Sequence, residues 1–201
     1  MMMVKKDPQA TRALLLQATF WEMYRSGFQA ASLDAILRET GVTKGALYHH
    51  FRSKAALAHA VIDEVIEQHV GVRWTGVLDG TDDPLPTLQA LFRGKAAATP
   101  EEEVILGCPL NNLALEMSPV EEGFRTHLQK LFNRWRSRLA YALVRGQEAG
   151  TVRPDIDANR VAAFIIASVE GSLGQAKAAQ SLDVLGDNME LLALYLDGLR
   201  P

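Results

Sequence analysis

The sequence predicts an all-α protein of about nine helices: an amino-terminal three-helix unit containing a helix-turn-helix, followed by a larger helical domain. Three observations carry that expectation. Apolar residues recur at spacings of three and four along most of the 201 residues. No stretch alternates with the period of two that a half-buried strand requires. Capping residues and glycines stand where helices should start and stop.

The elements follow in order. Asp7 and Pro8 open a first helix, because the aspartate can accept from free backbone amides and the proline presets a helical φ. Leu15, Leu16, Ala18, Phe20 and Met23 give its inner side, and Gly27 stands just past its end. Ser32 caps a second, short helix whose stripe is Leu33, Ile36 and Leu37, and Gly41 suits the left-handed conformation that closes it. Thr43 caps a third helix, with Leu47 and Phe51 four residues apart on one side. Ser53 caps a fourth, spanning 53–70, which connects a first domain of residues 1–52 to a second of residues 53–201.

A connection follows in GVRWTGVLDGTDDPLP, residues 71–86, rich in Gly, Asp and Pro. Beyond it, LPTLQALFRGKAAA and CPLNNLALEM read as shorter helices. A long helix starts at Pro119 or Val120 and runs to about Ala149, with Phe124, Leu128, Leu131, Phe132, Trp135, Leu139 and Leu143 on its stripe and Gly150 at its close. The last two helices, around Val161–Ala179 and Met189–Leu199, are apolar on more than one side.

Composition narrows the function. Residues 1–60 hold eight Lys/Arg against four Asp/Glu, whereas the remainder holds thirteen against twenty. A basic amino-terminal unit on an acidic body suggests that one end meets a polyanion. Cys108 is the single cysteine, so no disulfide forms within the chain, and a reducing, cytoplasmic setting is expected. The start MMMVKKDPQ has no signal-peptide hydrophobic region, and no apolar run reaches the roughly 18 residues of a membrane span. Phosphate-loop, nucleophile-elbow, HExxH and CxxC patterns are all missing, so neither an enzyme nor a cofactor is expected. His59 and Asp63, four apart, could share a metal, but such a spacing arises readily by chance, and no metal site is assigned.

The stretch GVTKGALYHHF, residues 41–51, is poor in helix formers, yet it completes a helix-turn-helix over Ser32–His50. The second helix of such a unit can lie in a DNA major groove about 12 Å wide. Gly45 and Ala46 would let the backbone approach base edges, and Lys44 can reach a guanine edge or a phosphate. Thr43, Tyr48 and His49 offer polar groups to the sugar-phosphate backbone. Lys54 sits at a helix amino terminus, where a cation is disfavoured unless an anion is its neighbour. His50 reads equally as a packing residue.

The longer run Gly27–Leu57, GFQAASLDAILRETGVTKGALYHHFRSKAAL, closely resembles the DNA-binding domain of the TetR family of transcriptional regulators. The family pattern is a glycine-aromatic pair, a Thr/Ser-capped helix and then GV[ST]KGxLYxHFxSKxxL. Glu22 and Met23 depart from it inside the first helix. The resemblance implies a ligand-responsive homodimer, usually a repressor, bound to a palindromic operator in double-stranded DNA. Carried over by position, Thr43, Lys44, Gly45, Tyr48, His49 and Lys54 become contacts, and Ala46 occupies the family's variable position.

In the second domain, small residues along the penultimate helix, Ala163, Ala167, Gly171, Gly174 and Ala178, with Leu192 and Leu196 of the last, are candidates for a dimer interface. Polar residues interrupting apolar faces, Asn111, Asn112, Glu116 and Glu170, are candidates for contact with a small-molecule effector. Glu170 reads equally as structural or interfacial. Phe132 and Trp135 are either pocket-lining or core, and Cys108 either a sensor or an inert buried thiol. The run GCPLNNLALEM is similar to ligand-domain sequences in one branch of the family, without identifying a ligand.

Overall fold

The computed structural model describes residues 7–71 and 76–201. Lys5, Lys6 and the start of the chain, with part of the expected connection at 71–86, lie outside these. The helices are α1 Pro8–Ala30, α2 Leu33–Thr40, α3 Lys44–His50 and α4 Lys54–Ala60, the last continuing as a π-helix over Val61–Gly71. After a 3₁₀ turn at Gly76–Leu78 come α5 Pro84–Ala98, α6 Glu101–Leu106, α7 Pro109–Met117, α8 Glu122–Glu148, α9 Ala158–Ala179 and α10 Leu182–Asp197. No strand occurs among the described residues.

The start and stop chemistry is visible in the bonds. Asp7, Ser32, Thr43 and Ser53 each accept a backbone N–H of the helix they precede. Gly41 closes α2 at φ 63°. Gly27, at φ 79° and ψ 166°, breaks α1, and a single further turn follows it, closed by the Ala31 N–H donating to the Gly27 carbonyl (3.1 Å). Glu22 uses its carboxylate to accept the Ser32 N–H at 2.9 Å, which gives this departure from the family pattern a role at the entry to α2. The short α6 was not expected from the sequence, because Pro100 supplies no side-chain cap and six residues carry little periodicity.

The chain divides into two compact units. Among the described residues the first holds 7–69 with 112–128, the second 70–71, 76–111 and 129–201. Thus α4 and the segment 112–128 pack with the amino-terminal helices, where the sequence suggested a boundary at 52. In the first unit, Leu15, Phe20, Ile36, Leu47, Leu57 and Phe124 are among the fully buried side chains. Arg12 ties α1 to the π-helix through a two-point bond to Glu64 (both 2.6 Å) while lying over the Phe51 ring. In the second unit, α10 packs chiefly on α5 and α9. Gln89 donates to the Ala193 carbonyl (3.1 Å), Arg93 pairs with Glu190 (3.0 Å) and Arg200 with Asp83 (2.8 Å).

Leu47 is the only fully buried side chain of the seven-residue α3. Leu47→Ala is therefore expected to cost about 2–5 kcal/mol, read as a lower urea midpoint; a loss below about 1 kcal/mol would mean that α3 is held by something else.

Candidate nucleic-acid interface

A seven-residue helix presents one side inward and the rest outward. In α3 the inward side is Leu47, continued by the buried Phe51. Lys44, Gly45, Tyr48 and His49 are exposed, Tyr48 at 43%, and Ala46 is half-buried. An added Cβ at Gly45 would meet nothing within 4 Å, so this part of the backbone is open to approach. Thr43 is exposed, and its hydroxyl already accepts the Ala46 N–H at 3.3 Å. Six of the seven expected contacts thus fall on or beside α3. The half-buried His50 lies against the Phe51 ring at 6.3 Å.

Lys54 behaves differently. Its ammonium donates to the Gln29 carbonyl (3.2 Å) and lies 4.7 Å from the centre of the Phe28 ring. Partial burial lowers its pKa, and the carboxylates of Glu116 and Glu22 oppose that shift. The anion foreseen beside this helix terminus is in part supplied by the chain itself. Glu116, an effector candidate on sequence grounds, accepts the N–H groups of Phe28 (2.9 Å) and Gln29 (2.8 Å), which corrects its expected place.

His59 does not join Asp63. Asp63 instead meets His127 Nδ1 at 2.9 Å, and the two imidazoles stack at 4.5 Å. Burial first, then the proximity of His127, hold the pKa of His59 below its usual value. Among the described residues no group of three or more His, Cys, Asp or Glu is placed to hold a metal.

In the second unit, Glu170 on α9 is 8% exposed, and its Oε2 finds no hydrogen-bond partner among the described residues. Burial raises its pKa to about 7, against the opposing effects of the Cys108 thiol and Lys95. Cys108 is fully buried, and burial, reinforced by Glu170, pushes its pKa well up. The backbone amides of Leu110 and Asn111 at the start of α7 oppose that rise. Trp135 is buried with its indole N–H unpartnered among the described residues, and the half-buried Phe132 stands edge-on to it at 5.8 Å. A cavity of about 100 Å³ is lined by Phe92, Lys95, Glu103, Val169 and Met189, among others. None of the six effector candidates lines it, but Val169 and Lys95 place it next to Glu170 in sequence and in charge. Asn111 and Asn112 are half-buried.

Along α9, Ala163, Ala167, Gly171, Gly174 and Ala178 are all exposed, and added Cβ atoms at the two glycines would meet nothing. Leu192 and Leu196 of α10 are instead core residues, at 5% and 0% exposure, because their side of the helix turns onto α5 and α9. Leu191, Leu194 and Tyr195 face outward in their place, and Tyr195 meets the exposed Phe164 ring at 5.0 Å.

Comparison with known proteins bears on these surfaces. Residues 15–61 match the family described as bacterial regulatory proteins, tetR family, and residues 84–192 match the tetracyclin repressor-like C-terminal domain. An uncharacterized HTH-type transcriptional regulator in the lacX 3' region of Lactococcus lactis is 32% identical over 90% of this chain and 91% of its own. The HTH-type transcriptional repressor DhaR of a Mycobacterium species is 28% identical, covering 87% of this chain and 85% of its own. A TetR transcriptional regulator from Chloroflexus aurantiacus superimposes with a TM-score of 0.83 at 28% identity, over 96% of this chain and 97% of that one.

The raised pKa of Glu170 has a consequence for stability. The folded chain holds this proton more tightly than an unfolded glutamate does, so the contribution is complete below about pH 4.5 and is lost as pH rises through about 7. Glu170→Gln, which carries no charge to desolvate, should gain stability relative to the parent by roughly 2 kcal/mol between about pH 5 and about pH 8. Parallel urea-unfolding curves across that range would show that the buried carboxyl is not strained.

Proposed function

The chain belongs to the TetR family of DNA-binding transcriptional regulators, and from that premise we propose that it is a repressor that binds a palindromic operator as a homodimer and is released by a small molecule. The observation that carries the DNA-binding part is the outward face of α3. Leu47 anchors the helix, while Lys44, Gly45, Tyr48 and His49 stand clear of the fold with an open backbone between them. Lys44 and the polar groups of Thr43, Tyr48 and His49 fit phosphate and base-edge contact, and Gly45 and Ala46 leave room for the groove floor. The repressor among the relatives supports the sign of regulation. A protein that binds operator DNA would work in the cytoplasm, which is the location that belongs to this reading.

Two exposed helix faces support the dimer. The small residues of α9 and Phe164, Leu191, Leu194 and Tyr195 form an apolar surface of the kind that closes into a four-helix bundle across a two-fold axis. The Glu170 Oε2 and Trp135 N–H, unpartnered among the described residues, support an effector with an apolar body and a few polar groups that complete these bonds.

A gel shift with the intergenic DNA beside the gene tests the reading. Wild-type protein should prefer that DNA over competitor at moderate salt. Lys44→Ala and Tyr48→Phe should each weaken binding, Lys44→Ala by about 1–3 kcal/mol. Wild-type binding with no sequence preference would remove the operator from the proposal.

Ala167→Arg places a charge on the exposed α9 face without touching the core. Sedimentation should then show a monomer where the parent is a dimer, with operator affinity lost together with the second half-site. A variant that remains dimeric would move the interface elsewhere.

A further inference from the structure

Gly27 breaks α1 in a conformation open to few side chains, and Phe28–Ala30 form its last turn. The first amides of such a turn have no partner within it. Those of Phe28 and Gln29 are taken by the two carboxylate oxygens of Glu116, in the last turn of α7, at 2.9 and 2.8 Å. The approach is so close that a Cβ on Gly27 would stand 2.9 Å from Glu116 Oε2. An acid at a helix carboxyl end is opposed by the helix dipole, so α7 alone gives no reason for a carboxylate here.

Lys54 closes the arrangement from the other side. Its ammonium binds the Gln29 carbonyl, covers the Phe28 ring and interacts favourably with the Glu116 charge. The Phe28 ring also rests on Phe124 of α8, at 4.5 Å. The chain leaves this cluster at Gln29, three residues before the cap of α2, and returns to it at Lys54, four residues after α3 ends. Both ends of the helix-turn-helix are therefore gathered in one cluster around Phe28 and Gln29, whose amides are held by a carboxylate that belongs to neither of its helices.

We propose that Glu116 is a positioning residue for operator binding: by holding the Phe28–Gln29 amides and Lys54 together, it sets the orientation in which α3 is presented to DNA. The proposal rests on the operator-binding reading above. In a dimer, the orientation of each α3 decides which half-site spacing fits, so spacing preference reports positioning directly and a purely stabilising role would not change it.

The test uses the full-length chain and the palindrome that wild-type protein selects from random duplex DNA, with versions lengthened or shortened by one base pair at its centre. Circular dichroism at the assay temperature confirms that each variant is folded. Glu116→Ala should lose about tenfold in affinity for the selected palindrome. It should also discriminate the altered spacings far less than the parent does. Glu116→Gln keeps a carbonyl oxygen for the amides but not the charge facing Lys54, and should fall between the two. Parent-like affinity and spacing preference in Glu116→Ala would overturn the proposal, as would weaker binding with the spacing preference intact. Should Glu116→Ala not fold, an unchanged spacing preference in Glu116→Gln overturns it. If the wild-type chain selects no palindrome, the operator-binding reading fails first and takes this proposal with it.

Discussion

A seven-residue helix has almost no stability of its own in water, because the cost of nucleation is spread over too few hydrogen bonds. The α3 helix therefore exists through what fixes it: Thr43 capping its first turn, Leu47 buried completely, and Phe51 inserted where it ends. That constraint decides the rest of the helix. With one side committed to anchoring, the remaining positions are released from packing, and residues unsuited to a free helix, Gly45 and two histidines among them, are tolerated. The neighbouring elements serve the same end, since α1 packs against α3 and is itself joined by Arg12 and Glu64 to the π-helix that continues α4.

Much of this was legible in the sequence because it is local. Ser32, Thr43 and Ser53 act within three residues of themselves, and the glycines at 27 and 41 announce a backbone that other residues rarely adopt. The outward side of α3 follows from the same phase that buries Leu47. Family resemblance over residues 27–57 then connected a common geometry to a particular chemistry.

The parts that were not legible depend on distant partners or on helix phase. Glu116 acts on amides 88 and 87 residues away, and no pattern along the chain marks such a pairing. Lys54 reads from the sequence as a cation in want of an anion, and the carboxylates of Glu116 and Glu22 that interact with it lie far from it along the chain. In α10, apolar residues occupy both sides, so spacing alone does not tell Leu192 and Leu196, which are buried, from Leu191 and Leu194, which are not. Glu170 was conspicuous as an acid in an apolar run; that it faces the only cysteine required the fold.

Gly45 carries an implication for anyone selecting variants of this protein. Its position has free space around it, so an alanine would enter without a clash and would favour the helix by about 1 kcal/mol. A screen that rewards heat resistance alone would accept that change readily, filling the bare stretch of backbone beside Lys44. With α3 meeting DNA as proposed, ranking variants by melting temperature would thus enrich proteins that fold better and read less, and only a selection that scores target recognition alongside stability would keep the glycine.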